Sequence, residues 1–567
     1  MPLSSTFSNY RLWIIATIVV LMSVLLLRGI DNPDLQYPDA DRILMDGVFI
    51  LDLLQDLPVP DIYGYAERYY AQYPALSIGY RPPFLPMVEA VFNGIFGINI
   101  WSSRLAILLF AIAGITSWFL MLERLYSTAT AAVATVLLVT NQFVAQWGWY
   151  TMAELPVMAM SMLVIASCYR YIESGASRWL YVTALLFSLA VWTKVTAIYL
   201  LPVIIAYIGV SGRLRQALHN KHAYLATALM MIMVIPLGLV MISLGDQNIA
   251  QSVAHWQPAV SQAAGTMTEA SAPVKPIFNL LDGLNHLYTL HFTSPVLILA
   301  GAGVLGAIWY RDKRVSILAI LILCTYVFFS ALGARDPRYF IFWVPPLTAF
   351  AALPFYYSSN WPKLQKVLLA SALLVSAYQV NLLYSRGQQF ASGYQAAAKY
   401  ILAHSKSPMV FFDGYRDGYF TYFMRANDEE RSMYVLRGDK LLTSSSITIQ
   451  NRLEIHAHHI SDINDLFTQY GVEYAVVEVP DPFEIEIHQI LRDYLKSEAF
   501  VLEESFDIKS SSSILNGRQL LVYRRLDWEP LKASSIKLRL PVVGKTITVK
   551  FGDSIRSARA KPTSPTY

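Results

Sequence analysis

The chain has 567 residues, of which 55% are hydrophobic and 15% charged, and its formal net charge is +4. Soluble chains carry about a quarter of their residues as charged side chains, so a mean hydropathy of +0.40 excludes an ordinary soluble protein. A net charge this small argues against nucleic acid as a partner.

Apolar runs of about bilayer length, about 20 residues, recur from the N-terminus to about Tyr384. They fall at about 11–28, 102–122, 129–147, 155–172, 179–193, 195–211, 223–244, 293–310, 315–333, 339–357 and 364–384. This predicts a polytopic α-helical membrane protein of about 11 to 13 spans. Leu12–Leu27 is similar to a signal-peptide core, but "RGIDNPDLQ" follows it in place of a small-residue cleavage site, so we read it as a retained first span. A long loop, about 29–101, comes next. Within it "PFLPMVEAVFNGIF" (Pro83–Phe96) is short and carries Glu89, which reads as a helix lying at the interface. The run from Trp179 to Val210 is too long for one crossing, and "WTK" (Trp192–Lys194) divides it into a tight hairpin. Cys168 and Cys324 both fall inside apolar runs, which predicts no disulfide.

Charge sets the sidedness. With the N-terminus cytoplasmic, the inner loops hold Arg124, then Arg170 and Arg178, then Arg213, Arg215 and Lys221. Arg311, Lys313 and Arg314 follow, then Lys363 and Lys366. The short outer connections hold almost no cations apart from Lys194, Arg335 and Arg338. Counting Pro83–Phe96 as a crossing would invert every later loop. The long first loop, the turn at Glu154, the "WTK" turn, the loop 245–292 and "ARDPRY" (Ala334–Tyr339) therefore share the outer face. An odd number of spans puts everything beyond about Tyr384 there too.

From Ser385 the composition becomes that of a soluble domain. "PMVFFDGY" (Pro408–Tyr415) reads as a strand and turn, "ISDINDLFTQYG" (Ile460–Gly471) as a helix ending at glycine, and "VEYAVVEV" as a second strand. "RQLLVYRRL" and "KTITVKF" read as later strands. The expected organisation is a membrane domain over 1–384, including the outer loop 29–101 with interfacial helices, a soluble extracytoplasmic α/β domain over 385–550, and a disordered tail over 551–567.

Charges near hydrocarbon are costly and tend to be functional. "YPDADRILMDG" brings Asp39, Asp41, Arg42 and Asp46 to the membrane face, and Arg81 follows in an aromatic-rich stretch. Glu154 stands where one span ends and another begins, Lys194 in the hairpin turn, and Arg335, Asp336 and Arg338 before a late span. A carboxylate can take a proton from a hydroxyl, while cations stabilise a departing phosphate. Arginine adds bidentate phosphate binding, and tyrosine and tryptophan faces suit sugar rings. The set suits transfer of a group from a lipid phosphate. It does not suit a nucleotide-dependent enzyme, since the sequence has no phosphate loop or dinucleotide fingerprint.

Each residue also has a plain structural reading. Asp39 could solvate a loop, Arg42 could pair with Asp39 or Asp46 along a helix, and Glu154 could favour a helix dipole. Lys194 could snorkel, and Arg335 and Arg338 could bind phospholipid headgroups. Asp41 and Asp46 are expected to solvate or orient the loop. The histidines at 219, 222, 255, 286 and 291 have no metal-ligand spacing. No cofactor follows from any motif, and a divalent metal at the Asp39-Ala40-Asp41 triplet is left open.

In order along the chain these strings resemble the polytopic GT-C glycosyltransferases, especially lipid A aminoarabinose transferases and protein O-mannosyltransferases. "PDADRI" resembles their P-D-E-x-R-Y string, matching Pro38, Asp39 and Arg42, with Ala40 in place of the acidic residue. "RPPF" resembles K-P-P-L, with Arg81 for lysine, and "FGINIWSSRLAILLFAI" matches at Gly97 and Arg104. "MAELP" resembles the T-D-x-P second acidic site, with Glu154 for aspartate, and "LAVWTKVTAIYLLP" matches at Lys194. "DPRYFIFWVPPL" matches R-Y-x-x-P-x-x-P-P at Arg338, Tyr339, Pro345 and Pro346. The resemblance implies inverting transfer from a polyprenyl-phosphate sugar to an acceptor hydroxyl of a lipid, glycan or protein at the outer face. It implies that Asp39 deprotonates the acceptor, that Arg81, Lys194 and Arg338 bind the donor phosphate, and that Glu154 positions a substrate. Arg42, Arg335 and Tyr339 complete the expected substrate-binding set. The expected setting is a bacterial cytoplasmic membrane, with membrane lipids as neighbours. A polytopic transporter or flippase is the alternative, although transporters gather their charges near the bilayer midplane.

Overall fold

The expected helices form throughout the part of the chain that the computed structural model describes: residues 10–30, 32, 37, 39–77, 81–244, 292–331, 337–444, 453–540 and 545–551. Arg335, Asp336, nearly all of the loop 245–292 and the tail 552–567 lie outside the described residues. The N-terminal part contains α1 (Arg11–Leu26), α2 (Ala40–Asp56), α3 (Ile62–Gln72), α4 (Phe84–Phe96), α5 (Ile100–Leu125), α6 (Thr128–Val139), α7 (Gln142–Trp149), α8 (Glu154–Ser174) and α9 (Arg178–Thr193). It continues with α10 (Leu200–Val210), α11 (Lys221–Leu244), α12 (Ser294–Trp309), α13 (Ser316–Ala331), α14 (Val344–Tyr357) and α15 (Pro362–Ser385).

Among the described residues, six helices are long and apolar enough to cross a membrane: α5, α8, α11, α13, α14 and α15, some with a flanking turn. A seventh crossing arises if α6 and α7, bent by 56°, count as one. The bend follows from Asn141, whose side-chain carbonyl caps the new helix by accepting from the Phe143 and Val144 amides. The apolar helices α1, α9, α12 and Val195–Val210 have 10–17 residues each. By length and composition six or seven crossings stand out among the described residues, and the about 11 to 13 expected from hydropathy would include the shorter apolar helices as well. Cys168 and Cys324 are free thiols.

Contacts sort the helix ends into two layers. At one end Arg11 pairs with Glu123, Arg124 and Arg170 with Glu173, and Arg314 donates to the Leu125 carbonyl and the Tyr356 hydroxyl. Arg213 lies against Gly175 at this same end, so the chain returns here after turning at Lys194. At the other end Arg28 donates to the Leu383 carbonyl, and Arg104 donates to the carbonyls of Gly29 and Ile30. Between the layers, small residues let helices touch. A Cβ on Gly114 of α5 would stand 2.5 Å from the Ala159 Cα of α8.

Beyond α15 come α16 (Tyr394–His404), β1 (Met409–Asp413), α17 (Asp417–Asn427), β2 (Tyr434–Arg437), α18 (Ile460–Tyr470), β3 (Tyr474–Val479), α19 (Glu486–Tyr494), β4 (Phe500–Ile508) and β5 (Arg518–Arg525). The sheet order is β2-β1-β3-β5-β4. β1 pairs in parallel with β2 and β3, while β5 runs antiparallel to β3 and β4. A hairpin of β6 (Ser535–Leu540) and β7 (Lys545–Lys550) follows. Side chains alternate across a strand, and here they separate two cores. Val410, Phe412 and Val476 join the core that continues into the membrane helices, while Met409, Phe411 and Val477 face Ile463, Phe467 and Leu491. Helices on both faces explain why β1 is buried along its whole length.

The C-terminal part docks on α2 through charge. Asp52 is fully buried and accepts from Arg425 Nε at 2.8 Å, Arg425 Nη2 at 2.6 Å and the Tyr69 hydroxyl at 2.7 Å. Arg431 adds a contact at 3.0 Å. Tyr73 donates to Asp428 at 3.0 Å, and Arg437 donates to the Pro74 carbonyl.

Candidate active site

Asp39 is the residue before α2, with φ −98° and ψ −4°, and its side chain does not cap the helix. The carboxylate turns instead to Arg81, whose Nη2 lies 3.3 Å from Oδ1, while Arg81 Nη1 donates to the Asp39 carbonyl at 3.0 Å. Glu154 opens α8, where the helix N-terminus favours negative charge. Lys194 is extended (φ −158°, ψ 127°) between α9 and the 3-10 turn Val195–Tyr199. That break in the helix lets Lys194 Nζ donate to Glu154 Oε1 at 2.6 Å. Arg338 Nη1 stands 3.7 Å from Glu154 Oε1 and 3.9 Å from Asp39 Oδ2.

Five charges therefore alternate in one chain: Arg81, Asp39, Arg338, Glu154, Lys194. Among the described residues, three cations thus contact two carboxylates. Tyr339 supplies the floor, stacked on Phe329 with centroids 4.8 Å apart. Lys194 Nζ and the Arg338 guanidinium lie 5.2 and 5.4 Å from its ring centroid. The Asp39 side chain is 41% exposed and within reach of a substrate. Glu154 is 2% exposed, and its Oε2 has no hydrogen-bond partner among the described residues. An orphaned carboxylate oxygen beside cations is suited to accept from a hydroxyl.

Arg42 does not join this chain. Its guanidinium has Asp41, Tyr70 and Asp439 as electrostatic neighbours as well as Asp39. Asp41 and Asp46 do not solvate the loop; both are buried. Asp41 lies against Gly418 of α17. Asp46 accepts from the Ser77 amide at 2.8 Å and from the Ser77 hydroxyl. Burial pushes the Asp46 carboxyl up to about 7. Glu89 of α4, also fully buried, is held well above the usual carboxylate range by burial and by Asp46 nearby. Among the described residues, no three His, Cys, Asp or Glu side chains come together as a metal cage.

Residues 80–239 match the family model of dolichyl-phosphate-mannose-protein mannosyltransferases. The chain is similar in structure to ArnT from Cupriavidus metallidurans bound to undecaprenyl phosphate, with a TM-score of 0.57 and 15% identity over 92% of this chain and 99% of that one. The apo state of that protein gives 0.56 at 14% identity, over 91% and 98%. The apo oligosaccharyltransferase of Archaeoglobus fulgidus gives 0.52 at 12% identity, over 83% of this chain and 70% of that one. The chain has the GT-C glycosyltransferase fold. No curated protein matches it in sequence.

In this GT-C fold, Ser77, Asp52, Tyr415 and Arg416 lie outside the set of residues expected from sequence. Ser77 and Asp52 carry no local signal, since each acts through a partner distant in the chain. Tyr415 and Arg416 had one: "DGYRDGY" follows a strand, and loops at the carboxyl ends of parallel strands are where such sheets bind ligands.

Proposed function

We propose that the protein is an integral membrane inverting glycosyltransferase that moves a sugar from a polyprenyl-phosphate donor to an acceptor hydroxyl on the outer face of the membrane. The observation that carries this reading is the alternating chain of Arg81, Asp39, Arg338, Glu154 and Lys194, which joins an exposed carboxylate to guanidinium and ammonium groups. Asp39 takes the proton of the acceptor hydroxyl as its oxygen attacks the anomeric carbon. The bond from that carbon to the phosphate oxygen breaks, and polyprenyl phosphate leaves with the electron pair. Arg81, Lys194 and Arg338 stabilise the charge that grows on it. Glu154 Oε1 holds Lys194 and Arg338 in place, and Oε2 is left to orient a substrate hydroxyl. Tyr339 offers its ring to the same pocket, and Arg42 and Arg335 remain in the proposed substrate-binding set.

The similar ArnT binds undecaprenyl phosphate, which supports a polyprenyl-phosphate donor. The donor set around Asp39, one carboxylate between two guanidinium groups, suits phosphate better than a divalent cation. Eleven crossings fit the sorting of helix ends, with the shorter apolar helices included. On that reading the basic end faces the cytoplasm, the chain divides into a membrane domain over 1–384 and an extracytoplasmic domain over 385–550, and the setting is a bacterial cytoplasmic membrane.

The test compares wild type and Asp39→Asn, purified in lipid, with radiolabelled polyprenyl-phosphate sugars and a membrane-lipid extract. Loss of the base lowers label transfer by about 10²–10⁴-fold. Full activity in folded Asp39→Asn removes the catalytic assignment. Lipid flipping without label transfer by wild type favours the transporter reading.

A further inference from the structure

The parallel half of the C-terminal sheet runs β2-β1-β3, so the chain leaves β1 toward β2 on one side and reaches β3 on the other. In open α/β sheets such a switch point makes a crevice at the carboxyl ends of the strands, where ligands bind. Here the loop leaving β1 is Gly414–Arg416, and it leads into α17, which rests on α2. Gly418 approaches Asp41 so closely that a Cβ would overlap Oδ2. Tyr419 donates its hydroxyl to the Tyr37 carbonyl at 3.0 Å. The loop after β1 and the start of α17 therefore meet the N-terminal turn of α2, two residues from Asp39.

Arg416 is held there without a counter-charge in contact. Its guanidinium lies over the rings of Tyr415 at 4.8 Å and Tyr419 at 5.6 Å. It makes no ion pair among the described residues, and its buried Nε has no hydrogen-bond partner. The Arg42 guanidinium likewise makes no ion pair within 4.0 Å among the described residues, and Asp41 neighbours both arginines. Other carboxylates nearby are taken: Asp417 and Asp439 by Arg437, and Asp439 also by Lys440. Asp41 itself accepts from the Arg42 amide at 2.7 Å and packs against Gly418, and burial raises its carboxyl above the usual range. Tyr415 is 44% exposed and presents an aromatic face beside Arg416.

We propose that Arg416 and Arg42 form an anion subsite between the C-terminal sheet and α2, so that the acceptor carries a phosphate or carboxylate group besides the hydroxyl delivered to Asp39. This rests on the transferase reading above and deepens it by naming the acceptor class. Arginine held over tyrosine rings keeps its planar fork oriented toward an incoming oxyanion. Tyr415 lies where a sugar ring of the acceptor stacks. The C-terminal domain then supplies a specificity residue of the site, and Arg416 is the one that no local pattern in the membrane part reveals.

The experiment uses the full chain in phosphatidylcholine nanodiscs and three radiolabelled probes: octyl glucoside, its 6-phosphate and octyl glucuronide. Equilibrium binding of polyprenyl phosphate is measured alongside. Wild type binds both anionic probes about tenfold or more tighter than the neutral one, the range expected for charge-assisted hydrogen bonds. In Arg416→Gln that preference falls to about threefold or less, and in Arg416→Lys it is partly retained, with polyprenyl-phosphate binding unchanged in both. Equal binding of the three probes by wild type, or a preference that survives Arg416→Gln, overturns the proposal. Loss of the preference in nanodiscs containing phosphatidylglycerol assigns the subsite to a lipid headgroup and overturns the acceptor class. A wild type that prefers the anionic probes but binds no polyprenyl phosphate supports the anion subsite and removes the transferase reading.

Discussion

Replacing Asp52 by leucine tests how the two parts of the chain are held together. The substitution leaves the Arg425 guanidinium, only 5% exposed, without its carboxylate, and leaves the Tyr69 hydroxyl without its acceptor. Breaking one side of a buried ion pair costs about 3–5 kcal/mol, and an orphaned buried hydroxyl adds about 1–3 kcal/mol. The two overlap in one network, so about 4 kcal/mol is expected for docking. At about 1.4 kcal/mol per decade, that is roughly 10³-fold in the opening equilibrium. Hydrogen exchange of the α17 amides, in lipid, reads that equilibrium directly. Arg431→Ala serves as the contrast, because Arg431 is 24% exposed and also paired with the more exposed Asp56; about 1 kcal/mol or less is expected. The double variant Asp52→Leu with Arg425→Met removes both charges and regains most of the loss, since apolar side chains replace a buried pair at little net cost. An Asp52→Leu protein whose α17 exchange rises less than about tenfold refutes this reasoning. So does a double variant as loose as the single one.

Two further outcomes follow from burial. The Asp46 carboxyl stands at about 7 in the folded chain against an ordinary 3.8. Between those values the folded state binds the extra proton, so stability falls as pH rises from about 4 to about 7. Asp46→Asn flattens that slope. Thermal midpoints at pH 5 and pH 8 that stay as far apart in the variant as in wild type would show that the carboxyl does not titrate there. Gly114→Val forces α5 away from the Ala159 backbone of α8, and overpacking of this kind costs about 1–3 kcal/mol. Its melting temperature in detergent drops by several degrees, and a wild-type midpoint would mean that the two helices have slack.

Several parts of this protein were written in local sequence. Lipid admits no unpaired backbone, so long apolar runs become helices, and the breaks between them show where polar groups gather. Lys194 interrupting one run, Glu154 opening another and Arg338 before a third are all legible in this way. The strands at "MVFFD", "YAVVEV" and "RQLLVYRR" were equally visible, since their β-branched and aromatic content is local. Pairing was not. The sequence places Asp39 near Asp41, Arg42 and Asp46, yet only folding brings Arg81 and Arg338 to Asp39, buries Asp41 beneath Gly418 and closes Ser77 over Asp46. The bend between α6 and α7 broke a run that hydropathy reads as one straight span. A helix repeat tells which positions share a face, but not which distant element will cover that face. α2 sits between α4 and the C-terminal α17, contacts separated by hundreds of residues in the case of Asp52 and Arg425. That long-range choice is made by the sum of packing and charge over the whole chain, and so only the tertiary structure decided it.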